Sequence, residues 1–432
     1  MTSKFSLPET REEIRLIQSE RKRIAFERAK KAPWYRKILS QIDPKKLDQP
    51  EVWNQIPVLT KDILRTFEHD EFIEQFNIAP QTEIAEYWRS GGTTGKPVFY
   101  PRTFEDVNYG LESWARTFPS IGIRAGDLCH ISFPLGIHPA GQIWARSAHQ
   151  EGVGMNWVGA GNSVPSESQI DLILGLKPTV LISMSSFALH LANVADSNGI
   201  DLSESSVRII ICSAETLSDA KREKLSLRWG AEVFDVFGMS EAGLMGCEGN
   251  AHDGIHIWSD MYYCEVLDEE TGEVLNNGET GSFCVTPLFT NNATPFLRWN
   301  SGDIVRMLDK GESKGKIGEL FPIIQHAART TGFFKIRGIN LNHTEFEDFI
   351  FRYAEVNDFQ AILETDKDDL ETMRLKMEFR RGIDEKHIYE KIRSDIKRVF
   401  EISVIIDIQK LGELAKIFEV SIKAPRFLDQ RK

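Results

Sequence analysis

Cysteine is scarce in this chain. There are five, Cys129, Cys212, Cys247, Cys264 and Cys284, an odd count with no C-x-x-C pair. That excludes a disulfide framework and fits a reducing, cytoplasmic setting. Long apolar runs are also missing. None approaches the ~18 residues of a membrane-spanning helix, and the opening "MTSKFSLPETREEIRLIQ" has no apolar core of a secretory signal. Positive charge is not in excess: Lys and Arg number 52 against 64 Asp and Glu, a formal net charge of -12. A broad nucleic-acid surface is therefore not expected, and neither nucleic acid nor a membrane is expected as a partner. Internal repeats and low-complexity linkers are absent. So are the two common nucleotide loops. No G-x-G-x-x-G occurs, and the glycine-rich run ending in Lys96 is followed by Pro97, where the usual phosphate loop needs Ser or Thr.

What is present is an ordinary globular balance, 41% hydrophobic and 27% charged, over 432 residues. That length exceeds one comfortable core and predicts two or three domains. The first hundred residues read as helical, with apolar positions near helical spacing among many charges, then as turns marked by Pro44, Pro50 and Pro57. The basic residues of that helix read as a solvated face. From about Asp127, short apolar runs alternate with helical stretches. "LCHISFPLGI", "TVLISM", "VRIIICS" and "AEVFDVFG" read as buried strands, and "PAGQIWARSAHQEG" as a helix with a glycine stop. The alternation predicts a parallel sheet covered by helices. Ligands of such sheets sit beyond the carboxyl ends of the strands, here "CSAE" and "DVFGMSE". From about Gly254 the pattern turns to hairpins, and after "FFKIRG" a new α+β unit begins.

The stretch "YWRSGGTTGKPVFY" concentrates Ser90, Gly91, Gly92, Thr93, Thr94, Gly95 and Lys96. Glycine allows close backbone approach, and successive N–H groups, hydroxyls and an ammonium suit polyphosphate. This loop, "VFGMSEAG", "RWNSGDIV" and "RTTGFFKIRG" follow one another in order. With these motifs the chain resembles the adenylate-forming superfamily, and within it the phenylacetate–CoA ligase family, from about "KAPWYRKIL" to "SIKAPRFLDQRK". The resemblance implies activation of a carboxylic acid by ATP, with pyrophosphate leaving, and transfer of the acyl group from AMP to a thiol, commonly coenzyme A. It implies that Ser90 to Lys96 hold the outer phosphates and that Glu241 binds Mg²⁺. Thr94, Lys96, Glu241 and Lys423 are the catalytic candidates. "CSAE", Cys212 with Ser213, Ala214 and Glu215, and "DVFG", Asp235, Val236, Phe237 and Gly238, would enclose the adenine, and Met239 and Ser240 would also bind the nucleotide. Asp303 would accept from the ribose hydroxyls, and Arg329 would contact ribose or phosphate.

The chain departs from the family at three places. Cys247, His252 and His256 suggest half of a zinc site, but "GKIGELFPIIQHAARTTG" has no cysteine, so structural zinc is not expected. "RTTG" replaces the family's "GRxDD", which puts Gly332 at the hinge aspartate; glycine still permits rotation. The C-terminal "FEVSIKAPRFLD" lacks the family's glycine and its serine–glutamate pair. Lys423 aligns with the catalytic lysine, and a solvated tail lysine is the alternative.

Phe133, His138, Pro139, Ala140, Trp157 and Phe237 align with the acid pocket, apolar with a few polar anchors. His138 suits an acid bearing a hydroxyl or amino group, or else is a helix-cap or core histidine. The expected fold is α/β: a large N-terminal adenylation domain over residues 1–331, with mostly parallel sheets and a β-rich subdomain, and a small mobile α+β lid over residues 332–432. The expected activity is an ATP-dependent, AMP-forming acid–CoA ligase acting on an aryl, arylacetic or small hydroxy acid, with Mg²⁺ and coenzyme A. The alternatives are an amine or carrier-protein thiol as acceptor, and a catalytically impaired nucleotide-binding homologue. Relatives are often dimers, which makes a homodimer the oligomeric state to test.

Overall fold

The computed structural model describes residues 7–89, 98–161, 163–327, 333–336, 339–365, 371–419 and 426–431. The chain forms two compact units. One comprises Met1–Gly126, Leu135–Gly154 and Phe234–Arg329; the other comprises Asp127–Pro134, Met155–Val233 and Thr330–Lys432.

In the first unit the opening helical stretch is two helices, Arg11–Ala29 and Pro33–Leu39, because Pro33 cannot continue the first but starts the second well. Its basic residues are not all solvated. Lys22 is buried, with its ammonium 5.2 Å from the Trp53 ring centroid and 4.6 Å from that of Tyr263, and Arg21 lies 3.8 Å over Phe289. Long cationic side chains carry apolar stems, and aromatic faces attract their heads, so a charged stripe packs here as well as dissolves.

The hairpins predicted after Gly254 form an antiparallel sheet. Tyr262–Leu267 pairs with Thr280–Pro287, which pairs with Trp299–Leu308 and so on through Ile323–His326, Ile255–Ile257 and Gly243–Glu248 to the end of Glu232–Met239. "DVFGM" thus ends a strand that turns back antiparallel at residues 239–243. Gly238 is required there. A Cβ on it would meet Gly243 O at 2.8 Å and Leu244 Cα at 2.9 Å on the returning strand. Strands Ile84–Arg89 and Phe99–Thr103 form a separate antiparallel pair. Thr103 then caps helix Phe104–Ala115 in a reciprocal capping box with Asp106.

In the second unit Leu128–Ser132, Val180–Ser183 and Ile209–Cys212 are parallel neighbours. Val180–Ser183 and Ile209–Cys212 are buried at every position, as continuous apolar runs should be. Each such isoleucine contributes roughly 1.5–3 kcal/mol by leaving water. The C-terminal part carries a four-stranded sheet, in the order Val404–Gln409, Glu371–Phe379, Val356–Thr365, Phe427–Asp429. Together these make the mixed α/β architecture with a parallel core and a β-rich portion that the sequence predicts. No described helix is long and apolar enough to cross a membrane.

Candidate active site

The predicted phosphate loop, residues 90–96, lies outside the described residues, as do Arg329, Gly332 and Lys423. The flanks of the loop are placed. Arg89 stands opposite Phe99 at the open end of the hairpin, so the loop leaves and re-enters at adjacent strands.

Arg89 O, the last described carbonyl before the loop, is a meeting point. Ser240 Oγ donates to it at 3.3 Å, and His138 Nδ1 lies 3.3 Å from it. A carbonyl only accepts, so this contact places the proton of a neutral His138 ring on Nδ1 and leaves Nε2 as an acceptor. Arg89 N donates in turn to Ile137 O at 3.3 Å. The loop flank, the "GMSE" turn and "GIHPA" are therefore joined at one residue. His138 sits at the N-cap of helix Pro139–Gln150, opened by Pro139 and Ala140, yet its side chain makes no cap bond.

Glu241 follows directly and is only 7% exposed. Tyr100 Oη donates to its Oε1 at 3.3 Å. Among the described residues no hydrogen bond reaches Oε2. A carboxylate with one oxygen held and the other unengaged fits Mg²⁺, which prefers hard oxygen ligands in a tight octahedral shell.

Along the strand before it, Asp235 Oδ1 accepts from Val236 N at 2.9 Å, and Asp235 N donates to Glu248 at 2.7 Å. Phe237 lies edge-on to Phe283 at 5.5 Å and to His326 at 4.8 Å between centroids. Phe283 stands where the pairing of Thr280–Pro287 with Trp299–Leu308 shifts register. Ser301 Oγ donates to Phe283 O at 3.4 Å and accepts from Asp303 N at 3.2 Å. Gly302, at φ 73°, makes this local turn within the strand. Phe237 packs on the Phe283 ring, and the backbone of the buried Asp303 is tied through Ser301 to the Phe283 carbonyl.

In the second unit, Ser213, Ala214 and Glu215 follow the buried strand Ile209–Cys212. Ala214 adopts φ 66°, a strained conformation for a residue with a Cβ, at the strand end where ligands of parallel sheets bind. The Glu215 carboxylate accepts from Ser186 N at 2.9 Å and from the Ser185 and Ser186 hydroxyls, at the start of helix Ser185–Ser197. A negative group is favoured at that helix end. Phe133 is buried, whereas Trp157 is 48% exposed.

The described flanks of the Lys423 segment are tied down. Glu419 accepts from Ser166 N at 2.7 Å and contacts His190 Nε2 at 2.7 Å. Against the desolvation of its site, these bonds bring its carboxyl down to about 2. Arg426 pairs with Asp358 through two bonds, at 2.8 and 3.0 Å.

Cys247 and His256 face each other across adjacent strands, while His252 Nδ1 contacts Glu248 Oε2 at 3.3 Å. Among the described residues no group of three or more His, Cys, Asp or Glu side chains gathers for a metal.

Sequence reasoning missed Tyr100, Arg102 and Asn291, which surround the Glu241 peptide, and gave His326 no place beside Phe237. For Arg102 a signal existed: an arginine inside the apolar strand "FYPRT" must find partners if the strand is buried.

The family described as AMP-binding enzyme matches residues 9–287. A phenylacetate-coenzyme A ligase from Aromatoleum evansii is 28% identical, over 98% of this chain and 96% of that protein. One from Thermus thermophilus is 30% identical, over 85% and 82%. Among solved structures, a 2-hydroxyisobutyryl-CoA ligase in its postadenylation state is similar in fold, with a TM-score of 0.82 at 19% identity, covering 100% of this chain and 95% of that one.

Proposed function

The chain belongs to the AMP-binding enzyme family, and from that premise we propose that it is an AMP-forming acid–CoA ligase working through an acyl-adenylate on an aryl, arylacetic or small hydroxy acid. The observation that carries this reading is the likeness to phenylacetate-coenzyme A ligases along nearly the whole chain, which includes the part that would serve the acceptor.

The acid carboxylate attacks the α-phosphorus of ATP, and pyrophosphate leaves. The thiol of coenzyme A then attacks the acyl carbon, loses its proton, and AMP leaves. The first step joins two anions, so neutralisation and alignment carry most of the catalysis. Residues 90–96, with Thr94 and Lys96, hold the outer phosphates. Glu241 would hold the divalent cation, which when bound would offset the charge of the phosphates. Asp235 to Gly238, and Cys212 to Glu215, take the adenine, and Met239 and Ser240 contact the nucleotide. Asp303 takes the ribose hydroxyls and Arg329 the ribose or phosphate. Lys423 neutralises the reacting carboxylate and α-phosphate. Residues 1–331 form the adenylation domain, and residues 332–432 form a lid that turns about Gly332.

Phe133, Pro139, Ala140, Trp157 and Phe237 line the acid site, and His138 sets its polar preference. With Nδ1 turned to Arg89 O, Nε2 accepts from a substituent on the acid. His138→Ala is expected to lower kcat/KM about tenfold for hydroxylated acids and to leave plain acids near wild type. Equal loss on both classes in a paired kinetic comparison would give His138 a purely structural role.

The activity is tested by pyrophosphate release from the purified protein with ATP, Mg²⁺ and a panel of such acids. Multiple turnovers only on addition of coenzyme A are expected. Release of about one equivalent despite coenzyme A would assign another acceptor, an amine or a carrier thiol. The same preparation, passed over a sizing column, tests for the homodimer.

A further inference from the structure

Glu241 is bonded by residues to which the sequence motifs assign no role. Arg102, fully buried, reaches it from the strand Phe99–Thr103. Its Nη2 donates to Ser240 O at 2.6 Å and to Glu241 O at 2.8 Å. Its Nη1 donates to Asn291 Oδ1 at 2.7 Å. Asn291 closes the ring: its Nδ2 donates to the same Glu241 O at 2.7 Å and to Thr294 O at 3.2 Å. Asn291 holds φ 68°, a left-handed conformation that asparagine tolerates better than most residues. The Trp88 ring lies 4.5 Å from the guanidinium carbon on one side. Asp106 fixes the loop that carries Asn291, accepting from Asn292 N at 2.6 Å and Ala293 N at 3.2 Å. The backbone of Glu241 is thus bound by two side chains, and Tyr100 occupies one of its carboxylate oxygens.

A planar guanidinium that bonds two successive carbonyls sets the orientation of the peptide between them. Burying a guanidinium is costly, and bonds from both of its terminal nitrogens offset that cost; such an arrangement is useful where the turn it holds must not move. We propose that Arg102, Asn291 and Tyr100 form a positioning frame for Glu241, which presents Oε2 alone so that the carboxylate binds the divalent cation through one oxygen. One-oxygen binding suits the short, strict coordination of Mg²⁺. The proposal rests on the reading of Glu241 as the cation ligand given above.

The test compares binding of ATP with Mg²⁺ and of ATP with chelator, by calorimetry, in wild type, Tyr100→Phe, Asn291→Asp and Glu241→Gln. Tyr100→Phe removes one hydroxyl. Asn291→Asp keeps the acceptor for Arg102 and removes the donor to Glu241 O. Both variants are close in size to the original residue, which spares Arg102, whose own loss would threaten the fold. Each is expected to weaken binding of MgATP about fivefold to tenfold and to leave metal-free ATP unchanged. Glu241→Gln is expected to abolish the benefit of Mg²⁺. If Glu241→Gln does so while both frame variants bind MgATP like wild type, the frame is overturned and the role of Glu241 stands. Equal weakening of both ATP forms in the frame variants would likewise overturn it, as a general structural effect. If Glu241→Gln keeps the full benefit of Mg²⁺, the reading of Glu241 falls and the frame with it.

Discussion

An Asp358→Ala protein is expected to lose about 3–5 kcal/mol of folding free energy, measured by urea unfolding against wild type. Asp358 and Arg426 are both nearly excluded from water. Asp358 takes two bonds from Arg426, at 2.8 and 3.0 Å, one from Asn193 Nδ2 at 2.9 Å and one from Phe359 N at 2.8 Å. Arg426 also passes its own carbonyl to Ala361 N at 2.7 Å, which ties the strand Phe427–Asp429 to Val356–Thr365. Removing the aspartate leaves a guanidinium buried between the Phe351 and Phe418 rings. Of its other acidic neighbours, Glu347 lies at 3.7 Å, and Glu215 also acts on it electrostatically. A buried cation without its partner is far costlier than the pair it came from is stabilising. The double replacement Asp358→Leu with Arg426→Met should therefore recover much of the loss. A single-variant loss below about 1 kcal/mol would mean that Glu347 takes over the pairing.

The parts of the fold visible in the sequence are those with one dominant local cause. Val180–Ser183 and Ile209–Cys212 are apolar at nearly every position, and burial on both faces of a parallel sheet leaves little choice. The hairpins after Gly254 announce themselves by turn residues such as Thr271-Gly272, although Tyr262–Leu267 finds its main partner in Thr280–Pro287 rather than in the residues just past that turn. What stayed hidden depends on distant groups. Lys22 looks like a solvated lysine until Trp53 and Tyr263 arrive beside it. Glu241 is singled out as a candidate by the compact "GMSE", but the side chains that bond it are not legible there. Arg102 and Asn291 are 189 residues apart, and only the folded sheet brings their side chains to one peptide. The His138 ring is similar: its position is readable, its hydrogen-bond partner Arg89 O is not. A candidate carboxylate can be singled out by its neighbours in sequence, whereas the side chains that hold it belong to tertiary structure.

Lys423→Met is expected to slow acid-dependent pyrophosphate release about a hundredfold or more, with little change in the KM for ATP. The bond-forming step brings a carboxylate against the α-phosphate, and their repulsion is largest in the transition state, not in the ATP complex. A compact ammonium placed between them acts mainly on that difference, so kcat falls and binding persists. The second step places no two anions together, since a thiol attacks a neutral acyl carbon while AMP departs. Thioester formation from supplied acyl-adenylate should accordingly stay near wild type. The described neighbours make a structural explanation separable. Glu419 is held by Ser166 and His190, and Arg426 by Asp358. The Lys423→Met protein should therefore melt within a degree or two of wild type, unlike Asp358→Ala, whose large loss of stability would lower Tm by several degrees. Lys423→Arg keeps the charge but replaces a point cation by a wide planar one, and should recover only part of the rate. Pyrophosphate release unchanged within about twofold in Lys423→Met would assign Lys423 to the solvated tail and leave neutralisation to Lys96.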